Sequence, residues 1–84
     1  MIELDAREMN HPEPLERSMD VFKWMDGDDV YKLVIHRKPQ PLLMIAERFG
    51  IRYEACEVGE REWHVYFTKS PEVDLAALCG ECPV

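Results

Sequence analysis

Val30-Tyr31-Lys32-Leu33-Val34-Ile35-His36 decides the fold. The run is too short for a typical helix and rich in β-branched and aromatic side chains, so it reads as a strand. Its apolar character is almost continuous, as a central strand covered on one face or both requires. Arg37-Lys38-Pro39-Gln40-Pro41 breaks it. Leu42, Leu43, Ile45, Ala46 and Phe49 then recur at helical spacing, and Gly50 stands at the position past the helix end where glycine commonly stops the turn.

Working back from Val30, Asp26-Gly27-Asp28-Asp29 is a turn. Before it, Leu15, Met19, Phe22 and Met25, with Val21 beside them, make one apolar stripe. The spacing predicts a helix over 12–26 whose stripe is core. Pro12 and Pro14 suit the first helical turn, and Asn10 or His11 is the expected cap. Residues 2–7 alternate Ile2, Leu4 and Ala6 with Glu3, Asp5 and Arg7, which is a strand. Working forward, residues 51–58 read as a third strand and Gly59-Glu60-Arg61 as a hairpin loop. Trp63, Val65 and Phe67 then alternate with His64, Tyr66 and Thr68 as a fourth strand. Ser70-Pro71 ends the regular part, so the expected division is a domain over 1–69 and a tail over 70–84. Trp24 and Trp63 are expected to serve packing, and Cys56 to pack as a small hydrophobe. The order is β-α-β-α-β-β, with two helices to cover a sheet, and a two-layer α/β sandwich follows.

A single small core is all that 84 residues allow, which excludes an enzyme with separate cofactor and substrate lobes. The balance of 10 Lys+Arg against 17 Asp+Glu leaves a formal charge of −7, a field that repels a phosphate backbone. Nucleic acid is therefore not the expected partner. No apolar run has the length of a membrane span, and Met1-Ile2-Glu3-Leu4-Asp5 has no signal-peptide character. The three cysteines are accordingly expected to be reduced thiols in the cytoplasm. There is no glycine-rich phosphate loop, no specific Ser-His-Asp order and no carboxylate pair placed for acid–base work. Neither an enzyme activity nor a cofactor is implied.

In such a sheet the loops after the first two strands and the last hairpin loop fall at one edge, where binding crevices of open α/β sheets form. That edge gathers Asn10, His11, His36, Arg37, Lys38, Glu60 and Arg61. Leu4-Asp5-Ala6-Arg7, His11-Pro12-Glu13-Pro14-Leu15 and Arg37-Lys38-Pro39-Gln40-Pro41-Leu42 resemble the TusA/SirA superfamily of sulfur carriers, and more closely its uncharacterised branch, domain of unknown function 2249. The resemblance covers residues 2–69. It implies a four-stranded mixed sheet with two helices packed on one side. The carriers hold a reactive cysteine before the first proline of their Cys-Pro-x-Pro turn; His11 stands there in this chain, and Glu8 stands where they usually have glycine. Imidazole cannot carry a sulfane sulfur, so carrier chemistry is not inherited at that turn.

Three groups of residues are candidates. His11 could act as a ligand, proton donor or anion contact at a helix N-terminus, whose dipole favours the neutral ring; the plain alternative is a capping histidine. His36-Arg37-Lys38 supplies positive charge suited to a carboxylate or phosphate, with Arg37 able to grip an anion bidentately; the alternative is a solvated loop. Cys79-Gly80-Glu81-Cys82 could chelate a metal or cycle as a dithiol; the alternative is a reduced, mobile tail. The expectation is a small binding or accessory module that takes a small anionic ligand or a protein partner at the His11/Arg37 edge, with Asn10, His36 and Lys38 contributing. It is expected to be a monomer or weak dimer. The rivals are a sulfur-relay or redox protein using Cys79 and Cys82, and a metal-binding protein whose ligand set is unknown.

Overall fold

The computed structural model describes residues 1–10 and 13–80. Its elements are β1 (Ile2–Asp5), α1 (Glu13–Trp24), β2 (Val30–Ile35), α2 (Gln40–Arg48), β3 (Arg52–Gly59), β4 (Glu62–Thr68) and α3 (Leu75–Gly80). The expected order of strands and helices holds, with a third helix added where the tail was expected. The sheet order is β1-β2-β4-β3, with β1 parallel to β2 and β4 antiparallel to both of its neighbours. The sheet is thus mixed and four-stranded, and the fold is a two-layer α/β sandwich. Because β4 slots between β2 and β3, the last hairpin completes the sheet from its middle.

Alternation along the strands builds the core. Tyr31, Leu33 and Ile35 of β2 and Val65 and Phe67 of β4 are buried in one cluster with Phe22 of α1 and Leu42, Leu43 and Ala46 of α2. Phe22 and Phe67 meet edge-to-face at 5.0 Å between ring centroids, and Tyr31 stacks on Phe67 at 5.6 Å. Aromatic pairs in these geometries add stability beyond the area they bury.

The stripe on α1 is shifted from the expected one. The buried positions are Pro14, Ser18 and Phe22, with Met25 just beyond the helix, while Leu15 and Met19 are only partly buried. Ser18 takes the place expected for Met19 because the Tyr31 hydroxyl below it, 2.8 Å away, satisfies its oxygen. Trp24 is 60% exposed and does not pack in the core. It lies two residues from Phe22, and a helix turns about 100° per residue, so the two side chains leave opposite sides.

Gly50 has φ +71, as its place after α2 predicts. In the last hairpin, by contrast, the left-handed residue is Arg61, at φ 57, and not Gly59. Gly59 belongs to β3, where the register shift between Glu57 and Gly59 leaves Val58 as an extra residue.

The segment after Pro71 contains α3, which packs against β3 and β4. Leu75 is 3% exposed and lies outside the main cluster, as do the buried Val34 and Tyr66, which alternate with core residues along their strands. Val34 and Tyr66 thus lie on the second face of the sheet, away from the main cluster. Among the described residues no helix is long and apolar enough to cross a membrane.

Candidate functional site

β1 and β2 run parallel, so both deliver their chains to the same edge, and the two helices that follow begin there. Ala6 N–H still pairs with the Val34 carbonyl at 2.7 Å, which ties the exit of β1 to β2. Met9 N–H then bonds Ala6 O, and Glu13 N–H bonds Asn10 O at 2.9 Å, closing the entry to α1. On the neighbouring strand, His36, Arg37 and Lys38 follow Ile35 directly. Gln40 N–H turns back onto Lys38 O at 3.0 Å, and Pro39 caps α2 without a side-chain hydrogen bond.

A cavity of about 370 Å³ opens between these two exits. Met9, Pro14, Leu15, Ile35 and Leu42 supply apolar wall, together with the rings of Pro39 and Pro41. His36, Arg37 and Lys38 supply its polar rim. A shallower concavity of about 560 Å³ adjoins it and brings Arg7, Glu8, Asn10 and Arg61 beside His36 and Arg37. The strand edge that the sequence singled out is therefore a real crevice, shaped by residues from four separate segments.

The charges at this edge are not equivalent. Arg7 donates to both Asp5 oxygens, at 3.0 and 2.8 Å, and reaches Glu62 at 3.4 Å. The hydrogen bonds from Arg7 hold the Asp5 carboxyl at about 2, below its ordinary 3.8, and the Arg7 guanidinium is raised in turn by Asp5. Arg7 is thus spoken for. Arg37, Lys38 and Arg61 make no ion pair among the described residues. In a chain of net charge −7, Arg37 and Arg61 share the concavity with one carboxylate, Glu8, and Lys38 lines the cavity with Arg37, which makes a local reversal of sign. His36 adds a polar debt of its own: Nδ1 is buried and has no hydrogen-bond partner among the described residues. Such an atom is uncommon in a folded protein and costs about 1–3 kcal/mol while unpaired.

The structure places Asn10, His36, Arg37 and Lys38 around the crevice, with Arg61 from the hairpin. Glu60 does not line it. His11 lies outside the described residues, in sequence between Asn10 and Glu13. Met9, Pro14 and Leu15 line the cavity without having been expected there. Met9 and Leu15 carry no chemical signal of a site, since an apolar side chain near a helix start reads as core until the cavity beside it is seen.

The thiols stand elsewhere. Cys56 of β3 and His64 of β4 are cross-strand partners on the second face of the sheet, and the Cys56 thiol donates to the His64 carbonyl at 3.3 Å. His64 Nε2 meets Glu62 Oε2 at 2.9 Å. Cys79 sits on α3, which packs on those same two strands, while Cys82 lies outside the described residues. Among the described residues, no three His, Cys, Asp or Glu side chains group as a metal site.

Fold and edge together define a small α/β domain with a cationic, apolar-walled crevice at the carboxyl ends of two parallel strands. The chain belongs to the family described as uncharacterized conserved protein (DUF2249), which matches residues 3–69. The match ends one residue past β4, so α3 lies beyond it. No curated protein and no solved structure matches the chain.

Proposed function

We propose that this chain is a binding module for a small anionic molecule, received in the crevice between the exits of β1 and β2. The observation that carries the reading is Arg37 and Lys38 beside His36 on a cavity of about 370 Å³, with Arg61 on the adjoining concavity, none of the three cations in an ion pair among the described residues. Pockets of this size bind small molecules, with apolar walls and a few placed polar groups. The resemblance to the sulfur carriers supports binding in place of delivery, because His11 stands where their cysteine carries sulfur. An NMR titration of the full chain with acetate, phosphate and hexanoate tests the reading. At least one anion should shift the amides of His36, Arg37 and Lys38 saturably, and Arg37→Ala or His11→Ala should weaken that response. Unchanged amides at this edge with all three anions refute it.

A second reading rests on α3, which carries Cys79 onto the strands that hold Cys56 and His64. In a sulfur relay the Cys79 thiolate attacks the outer sulfur of a persulfide donor, R–S–S–H. The donor's S–S bond breaks, the donor leaves as R–S⁻, and Cys79 keeps a persulfide. Mass spectrometry after incubation with a small-molecule persulfide decides this. One stable added sulfur on Cys79 or Cys82 supports the relay, and none removes it.

A further inference from the structure

We infer that the crevice takes an organic carboxylate with an apolar body, not a phosphate or another bare anion. The inference rests on the anion-binding reading above and names the ligand class for that site.

Phosphate is commonly held by the free backbone N–H groups at a helix N-terminus. Both helices that begin at this crevice lack two of those donors in their first turn. In α1, Glu13 N–H is taken by Asn10 O, and Pro14 has no N–H. In α2, Gln40 N–H is taken by Lys38 O, and Pro41 has no N–H. Pro14 and Pro41 also line the cavity, so ring carbons stand where two of the N–H groups of a phosphate cradle would be. An anion here is held by side chains from the rim.

The size of the cavity points the same way. About 370 Å³ corresponds to roughly a dozen waters of liquid volume. Acetate or phosphate would displace a few of them and leave the wall of Met9, Leu15, Ile35 and Leu42 wet. A carboxylate bearing a short alkyl chain or an aryl ring fills the space and removes that apolar surface from water. Its head group meets Arg37, whose planar fork matches a carboxylate with two parallel hydrogen bonds, with Lys38 adding charge nearby. His36 faces both the cavity and the open concavity. Its Nδ1 is sheltered, so the ring must turn about its Cβ–Cγ bond to present that nitrogen. The missing partner means that this rotation breaks no hydrogen bond of Nδ1.

The test uses the full chain and four probes: hexanoate, acetate, phosphate and hexan-1-ol, followed by amide shifts of Met9, Leu15, His36 and Arg37. Hexanoate should bind at least about tenfold more tightly than acetate, phosphate or the alcohol. Replacing Leu15 by Asn should bring hexanoate down to the acetate level. Met9→Gln serves the same purpose if the Leu15 variant melts early. Acetate or phosphate binding within about threefold of hexanoate overturns the ligand class and leaves the anion site standing. Hexan-1-ol binding as well as hexanoate removes the role of charge, and silence with all four probes sinks the class and the anion reading together.

Discussion

The Ser18 and Tyr31 hydroxyls meet at 2.8 Å inside the core, each in a residue with no exposed surface. Burial pushes the Tyr31 phenol upward, and the bond from Ser18 partly offsets that rise. Removing one partner strands the other. Ser18→Ala should therefore cost about 1–3 kcal/mol in urea unfolding, whereas Ser18→Ala combined with Tyr31→Phe should recover most of that loss. A double variant as unstable as the two singles added together would show that the pair is not coupled.

Asp5 supplies a pH prediction. Its folded value, about 2, lies below the ordinary 3.8, so its contribution to stability is complete above the ordinary value and fades as the pH falls toward 2. Following the Asp5 side chain by NMR should give a midpoint near 2 in the parent chain. In Arg7→Ala the midpoint should return toward the usual carboxylate range. A midpoint that ignores the substitution would mean that Arg7 does not hold the carboxyl down.

Gly50 stands at φ +71 with open space where a Cβ would go. Gly50→Ala thus tests backbone strain without a steric clash. The left-handed conformation costs an L-residue about 1–2 kcal/mol, and unfolding should report a loss of that size. No loss would place the turn after α2 in another conformation.

Leu75 tests whether α3 belongs to the folding unit. Its side chain is 3% exposed beside the second face of the sheet. Leu75→Ala should destabilise the chain by about 2 kcal/mol, the low end for a buried leucine, because α3 has only six residues and can partly collapse onto the strands. Stability equal to the parent would show α3 to be a bystander.

Specific contact and overall charge are separable at the crevice. Arg37 lines the cavity, whereas Arg17 lies on the exposed face of α1, 3.4 Å from Glu13. Both substitutions to alanine remove one positive charge. Arg37→Ala should weaken hexanoate binding about tenfold, and Arg17→Ala should leave it within about twofold. Equal losses would assign the effect to the protein's net field.

Much of the candidate site was legible because its polar members cluster at chain breaks. His36, Arg37 and Lys38 directly follow a strand too apolar to be anything but central, and a parallel sheet sends such exits to one edge. The apolar wall was not legible. Met9 and Leu15 become site residues only through the space between them and α2, and local pattern carries no record of empty space. The shift of the α1 stripe from Met19 to Ser18 has a similar cause. A serine looks like surface until Tyr31, thirteen residues away, is found to hold its hydroxyl.

The amino-acid order alone determined the strands, the first two helices, the stop at Gly50 and the pairing of the last two strands. Those features follow from periodicity, proline and glycine placement, and short connections, all of which act within a few neighbours. Tertiary structure decided that β4 lies between β2 and β3, that α3 closes over the second face, and that Arg7 is neutralised while Arg37, Lys38 and Arg61 are left to face the crevice. Each of those outcomes depends on which distant groups meet, and burial and Coulomb energies between distant segments are settled only when the whole chain packs.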